Sequence, residues 1–224
     1  MQTKVKLTKR QIKEDKFTTF MLTAKSQLQE KWEYYAIGVV ALILVVGGLA
    51  YAVNYFEGKE LEAAGRFSGA MREYQSGNKQ PAIIALSQVI NDYGGSDEAA
   101  RATCVLGNLY LVDRNYLEAE KNYRLYLSDY GDDPFLRSAA QAGLAVSAEN
   151  QGRYAEAADL FGQAIQEEPD GPMEADYRLG AIRNFILLDQ VDRASEELEV
   201  LEEKYPNQEQ TRQAIRLVTE KSVS

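Results

Sequence analysis

The chain has no histidine and a single cysteine, Cys104. Those two scarcities remove whole classes of chemistry. Without histidine there is no Ser-His-Asp or Cys-His relay, and most zinc sites lose their usual nitrogen ligand. One cysteine forms no intramolecular disulfide, and in an apolar helical stretch it is expected to be a small buried residue. Phosphate-cradling loops are missing too. Gly47 and Gly48 stand inside an apolar run, and neither a dinucleotide fingerprint nor a GK[ST] motif occurs. Adjacent carboxylates exist at Asp132-Asp133, Glu167-Glu168 and Glu202-Glu203. On helix surfaces or in turns such pairs read as solvated charges, not as tuned acid–base groups. No catalytic, cofactor-binding or metal-ligating residue is assigned. The expectation is a protein that is not an enzyme and takes no cofactor and no small-molecule substrate.

Charge itself is missing from one stretch. Between Glu33 and Glu57, 23 consecutive positions are uncharged: YYAIGVVALILVVGGLAYAVNYF. As a helix rising about 1.5 Å per residue this run reaches roughly 34 Å, against a hydrocarbon core of about 30 Å. Within one isolated apolar segment, only a helix satisfies every backbone group in lipid. Trp32, Tyr34 and Tyr35 flank one end, and Tyr51, Tyr55 and Phe56 the other, where amphipathic rings prefer to lie. A core helix of a soluble protein rarely stays uncharged on all faces for so long. Ala50-Tyr51-Ala52 has the form of a signal-peptide cleavage site, but a signal peptide has an apolar region of about 7–15 residues. Here 33 residues precede the run. Residues 34–56 are therefore expected to be an uncleaved, single-pass membrane anchor.

The charges that are present divide unevenly. Residues 1–33 hold eight of the 25 Lys/Arg and four of the 34 Asp/Glu, leaving 17 basic and 30 acidic residues for 34–224. Basic flanks stay on the cytoplasmic side. The expected layout in a bacterium is an inner (cytoplasmic) membrane protein with a cytoplasmic amino terminus and a periplasmic carboxy-terminal part. An acidic soluble part without a basic stripe argues against nucleic acid as partner. In the basic segment, Thr8 and Gln11 have capping-box spacing. Phe17, Phe20, Met21, Ala24, Leu28 and Trp32 follow on one helical face. Such a helix suits an anionic leaflet or a partner subunit, while a solvated tether is the plain alternative.

Beyond the anchor the chain repeats itself. Leu106-Gly107-Asn108-Leu109-Tyr110, then Ala119, Tyr123 and Gly131, follow the order of a tetratricopeptide repeat. The alanine recurs as Ala82, Ala119, Ala157 and Ala194, with spacings of 37, 38 and 37, and twelve residues after each stands a breaker: Gly94, Gly131, Pro169 or Pro206. The predicted fold is all-α: one amino-terminal transmembrane helix, then a tetratricopeptide-repeat-like solenoid of about four helical hairpins plus a capping helix over 207–220. The alanines let helices approach closely. Leu86, Tyr123, Phe161 and Leu198, four positions on, fill the layer between pairs. Gly77-Asn78, Asn115, Gly152 and Asp189-Gln190 fall at the turn inside each pair. The expected domains are a basic amphipathic segment (1–33), the anchor (34–56), the repeat domain (57–220) and a flexible tail (221–224).

In such an array the first helix of each pair lines the concave face. The phase assigns Phe67, Met71 and Tyr74 to it from the first pair, and Cys104, Asn108 and Leu111 from the second. Ala142 and Val146 come from the third, and Leu179, Arg183 and Ile186 from the fourth. An apolar, Met-bearing groove suits helices or extended segments of low sequence specificity. It lacks the recurring Lys/Asn set that would hold a terminal carboxylate. The groove could equally be filled by the chain's own capping helix or by the approach from the anchor.

This layout, a basic start, one anchor and repeat units led by Leu106-Gly107-Asn108-Leu109-Tyr110, resembles the YfgM-type inner-membrane proteins of bacteria. The resemblance covers nearly the whole chain, and the amino-terminal segment here is longer and more basic. It implies an ancillary subunit of the Sec translocon, whose periplasmic repeats work with chaperones of newly exported proteins. The expected function is a membrane-anchored protein-binding module that docks on such a complex and holds exported or partner polypeptides. The alternative is a purely structural scaffold subunit without client transfer. A cytosol-facing receptor is disfavoured by the basic 33-residue start. The small-x-x-x-small pair Gly48 and Ala52 could pack against another transmembrane helix.

Overall fold

The computed structural model describes residues 18–22, 25 and 32–223. Residues 18–22 are helical, with Phe20 and Met21 exposed. Thr8, Gln11, Phe17, Ala24 and Leu28 of the expected amino-terminal helix lie outside the described residues. The chain divides into two compact units, Met1–Glu57 and Gly58–Ser224.

In the first unit, the apolar run belongs to a helix, α1 (Trp32–Gln75). None of its most apolar stretch is buried, and Ile37, Leu44 and Leu49 are each exposed over more than 60% of their surface. A core segment would bury at least one face, and this stretch buries none. It is long and apolar enough to cross a membrane.

The second unit continues with α2 (Lys79–Asp92), α3 (Asp97–Val112), α4 (Tyr116–Asp129), α5 (Pro134–Asn150), α6 (Tyr154–Glu167), α7 (Glu174–Leu187), α8 (Val191–Lys204) and α9 (Glu209–Ser222). No strand occurs among the described residues. The carboxy-terminal part of α1 with α2, α3 with α4, α5 with α6, and α7 with α8 make four pairs stacked in chain order. α9 packs on α7 and α8 as the cap. The expected solenoid, with its capping helix, is what folds.

Local chemistry sets the turns. Gly77, Arg114, Gly152 and Asp189 occupy the left-handed region, with φ of 78°, 58°, 75° and 57°. They recur at the spacings of the alanine ladder, five residues ahead of each alanine. In the second pair the pivot is Arg114. Asn115 follows it as the cap of α4 and accepts from the Glu118 N–H at 3.4 Å. A non-glycine pivot costs roughly 1–2 kcal/mol, so Arg114 and Asp189 are held by the packing of the helices they join. Ser96 caps α3 through the Ala99 N–H, and Asp133 caps α5 through Phe135 and Leu136, with Pro134 as the first helical residue.

Packing follows the period. Ala82, Ala119, Ala157 and Ala194 are all fully buried, and one turn on Leu86, Tyr123 and Phe161 are buried while Leu198 is half-buried. The rings need glycine seats. A methyl on Gly107 would stand 2.7 Å from the Tyr123 ring, and one on Gly143 closer still. On Gly180 it would stand 2.5 Å from Phe161. Tyr123 is thus clasped between α3 and α5, and Phe161 is pressed onto α7.

Candidate protein-binding groove

The first helices of successive pairs touch directly, α3 against α5 and α5 against α7. Their shared face is continuous, and the residues assigned to it from sequence fall into three rows at the repeat spacing. The inner row is Phe67, Cys104, Ala142 and Leu179. Its last three members are buried and form a floor, while Phe67 is half-buried. The middle row is Met71, Asn108, Val146 and Arg183. Asn108 is exposed and the others are half-buried. The outer row holds Tyr74, Leu111 and Ile186. Beside it, Val112 and Leu187 expose 67% and 51% of their surface, the most open apolar groups of this face.

Sequence reasoning missed the outer-row member of the third pair, Glu149. Arg183 donates to both of its carboxylate oxygens, Nη2 to Oε2 at 2.7 Å, and this raises the guanidinium pKa further. A signal for it exists in the chain. Side chains 34 residues apart meet repeatedly across the stack: Glu149 with Arg183, Tyr116 with Asn150, Asp176 with Gln210, and Asp170 with Lys204. The 37–38-residue period finds equivalent positions. The shorter step finds neighbours.

The remaining charges on this side are also spoken for. Arg101 pairs with Glu98 and lies over the Phe67 ring at 5.6 Å from its centroid. Gln210 of α9 donates to Asp176 at 2.8 Å. Burial pushes the Cys104 thiol up to about 12, with the Asp133 charge adding to the rise, so it stays protonated and inert. Asn108 accepts a hydrogen bond from the Tyr123 hydroxyl at 2.6 Å. Among the described residues, no group of three or more His, Cys, Asp and Glu is arranged to hold a metal ion.

Two expectations need refinement. α9 packs on α7 and α8 and on neither α3 nor α5, so the cap does not fill the groove along the second and third pairs. Glu202 and Glu203 are exposed, as expected, but the other two doublets are not merely solvated. Asp133 caps α5, and Glu167 takes a bidentate pair from Arg137 at 2.7 Å.

Comparison with known proteins agrees with this architecture. The tetratricopeptide repeat family matches residues 150–217, from the end of α5 into α9. The fold is similar to the TPR-like repeats of a Podospora anserina protein described as a kinesin light chain. That similarity has 15% identity and a TM-score of 0.57, and covers 73% of this chain and 86% of that one. It is also similar to MamA of AMB-1, at 16% identity and a TM-score of 0.55, covering 73% of this chain and 84% of that one. No curated protein matches the sequence. Residues 150–217 therefore match the tetratricopeptide repeat family, and the fold as a whole is a TPR-like helical solenoid, an architecture that in general serves protein–protein interaction.

Proposed function

We propose that this protein is a non-enzymatic, membrane-anchored binding module whose repeat unit holds polypeptides in the concave face of its stack. The observation that carries the reading is the groove itself: a floor of Cys104, Ala142 and Leu179, apolar walls, and charges already paired with one another. Such a surface offers contact area without reactive groups. The anchor would be residues 34–56 of α1, uncharged and exposed on every face. The basic 1–33 segment favours a cytoplasmic amino terminus and a periplasmic repeat unit in a bacterial inner membrane. In that setting the chain would dock on a translocon-like complex and receive exported segments, the role implied by the resemblance to YfgM-type proteins.

Photocrosslinkers placed at Phe67, Asn108 and Arg183 in cells test this. Exported polypeptides should be captured from all three positions, and capture of no protein at all defeats the proposal. A fixed scaffold would instead give one stoichiometric partner on copurification in mild detergent. Protease protection of the repeat unit in intact cells, and its loss in inverted vesicles, would reverse the assigned topology.

A further inference from the structure

We propose that α9 is an acid-released cap: protonation of the carboxylates with which α7 and the turn after it hold the cap segment unseats that helix while the rest of the stack stays folded. This holds whatever the concave face binds.

Three side chains of the cap segment reach back to the last pair, and each ends on a carboxylate. Glu174 is 1% exposed, opens α7 and accepts from the Tyr205 hydroxyl at 3.1 Å. Asp176 accepts from Gln210 at 2.8 Å, and Asp189, in the turn between α7 and α8, pairs with Lys221. These contacts stand just before α9, in its first turn and in its last, so both ends of the helix are held. Tyr205 also fixes where α9 begins, because its carbonyl accepts from Thr211 Oγ1 at 2.6 Å. A carboxylate is an acceptor at both oxygens, and its charge strengthens each bond. Once protonated it has lost the charge and carries a proton of its own, so every one of these ties weakens.

What is left in acid differs between the elements. α7 buries Tyr177, Leu179, Ile182 and Phe185, and its Gly180 seats the Phe161 ring. Apolar burial of that kind carries no charge to lose. α9 contains no aromatic residue and buries only Thr211, Ala214 and Val218. Pro206 and Asn207 ahead of it are exposed, so the helix can swing away without opening α8. Release would uncover Leu198, the last member of the row that begins with Leu86.

The groups facing Glu174 set the pH range. Arg178 of α7, which also holds Glu197 of α8, donates to it, as do Lys204 of α8, which also holds Asp170, and the Asp170 N–H. On α6, Glu167 is taken by Arg137, and Glu168 accepts from Ser138 Oγ at 3.2 Å. Burial pushes the Glu174 pKa up, but its donors outweigh burial and hold it below the ordinary carboxylate range. The tie is therefore whole above the unfolded value of about 4.3 and is lost as pH falls through the folded one.

The test uses the full-length chain in lipid nanodiscs and pulsed spin-label distances on a Cys104→Ala background. One label pair joins Leu117→Cys on α4 to Thr219→Cys on α9, and the control joins Leu117→Cys to Ala155→Cys on α6; all three positions are exposed. The α4–α9 distance should be narrow at pH 7, broad at about pH 3.5, and narrow again on return, while the control stays narrow throughout. The seated-to-released ratio should fall by more than about tenfold per pH unit, the mark of more than one proton taken up. Asp189→Asn, on an exposed turn, and Tyr205→Phe, which leaves every charge in place, should each move release to higher pH. An α4–α9 distance that stays narrow in acid overturns the proposal. So does broadening of both label pairs together, which would be unfolding of the whole stack. Release at the same pH in the unaltered chain and in both variants overturns the assignment to these carboxylates.

Discussion

The inner and outer junctions of the stack occupy equivalent places and are filled with different side chains. At the first junction, Leu86 of α2 belongs to a small aliphatic core, with Val105 of α3 packed against it. At the second and third, Tyr123 and Phe161 stand at the position of Leu86, and Gly143 and Gly180 stand at the position of Val105. At the last, Leu198 returns, facing a cap that carries Leu217 and Val218. Large meets small inside the stack, and medium meets medium at its ends. The larger ring faces the smaller partner, so bulk on one side of a junction is traded against bulk on the other, as a close-packed interior requires. The same period can therefore be met by two packing solutions, and in the aromatic one Tyr123 also extends a hydroxyl to Asn108.

The largest effect should come from removing a ring. Tyr123→Ala is expected to lose about 3–5 kcal/mol of unfolding free energy, read by denaturant titration of the full chain in micelles. The sharper experiment converts an inner junction into an outer one. Tyr123→Leu combined with Gly143→Val should be more stable than either single substitution, because the shorter side chain at 123 makes room for the valine that the ring excludes. If the double variant is merely the sum of its parts, the junctions are not interchangeable and the comparison fails.

Next in size, Gly143→Ala should cost about 1–3 kcal/mol by overpacking Tyr123, although alanine is the better helix former by roughly 1 kcal/mol. The opposite sign is expected at the free leading face of the first pair. There, Gly65 and Gly69 stand where later pairs bury Ala102 with Leu106 and Ala140 with Leu144. A methyl on Gly65 meets nothing within 4 Å, and one on Gly69 meets only the Arg72 side chain at 3.6 Å. Gly65→Ala should therefore raise stability by about 0.5–1 kcal/mol. Thermal melts of the two glycine variants side by side check both signs at once.

These contrasts mark how far the chain could be read without coordinates. The alanine ladder, the breakers and the cap were legible because each obeys one rule at one period. The uncharged run was legible from its length alone. The glycine seats were not, because Gly143 and Gly180 lie in helices whose pattern gives no reason for them until a ring is seen against each. Glu149 and Glu174 were missed for a related reason. A carboxylate looks solvated in sequence, and only the neighbour about one repeat away shows otherwise.

Glu174 provides the smallest and most local contrast between the two ends. It is 1% exposed and takes donors from Arg178 at 2.7 Å, Lys204 at 3.2 Å, the Tyr205 hydroxyl at 3.1 Å and the Asp170 N–H at 2.8 Å. Burial pushes its pKa up, but these donors outweigh burial, and the folded value lies below the ordinary carboxylate range. Glu174 therefore stabilises the last pair above the unfolded pKa of about 4.3, and that contribution is lost as pH falls through the folded value. Glu60, on the first pair, has the reverse sign. Partial desolvation, the hydrogen bond with Glu98 and the charges of Glu98 and Asp97 raise its pKa, with Arg101 opposing. Its contribution is present below the unfolded value and lost as pH rises through the folded one. Hydrogen exchange, corrected for intrinsic rates, should show protection in α7, α8 and α9 dropping as pH falls below about 4.3 through the lowered Glu174 value, and protection between α1 and α3 dropping as pH rises above about 4.3 through the raised Glu60 value. Glu174→Gln should flatten the first trend and Glu60→Gln the second. Both ends moving in the same direction would mean that these two carboxylates do not govern the local stability of the junctions they occupy.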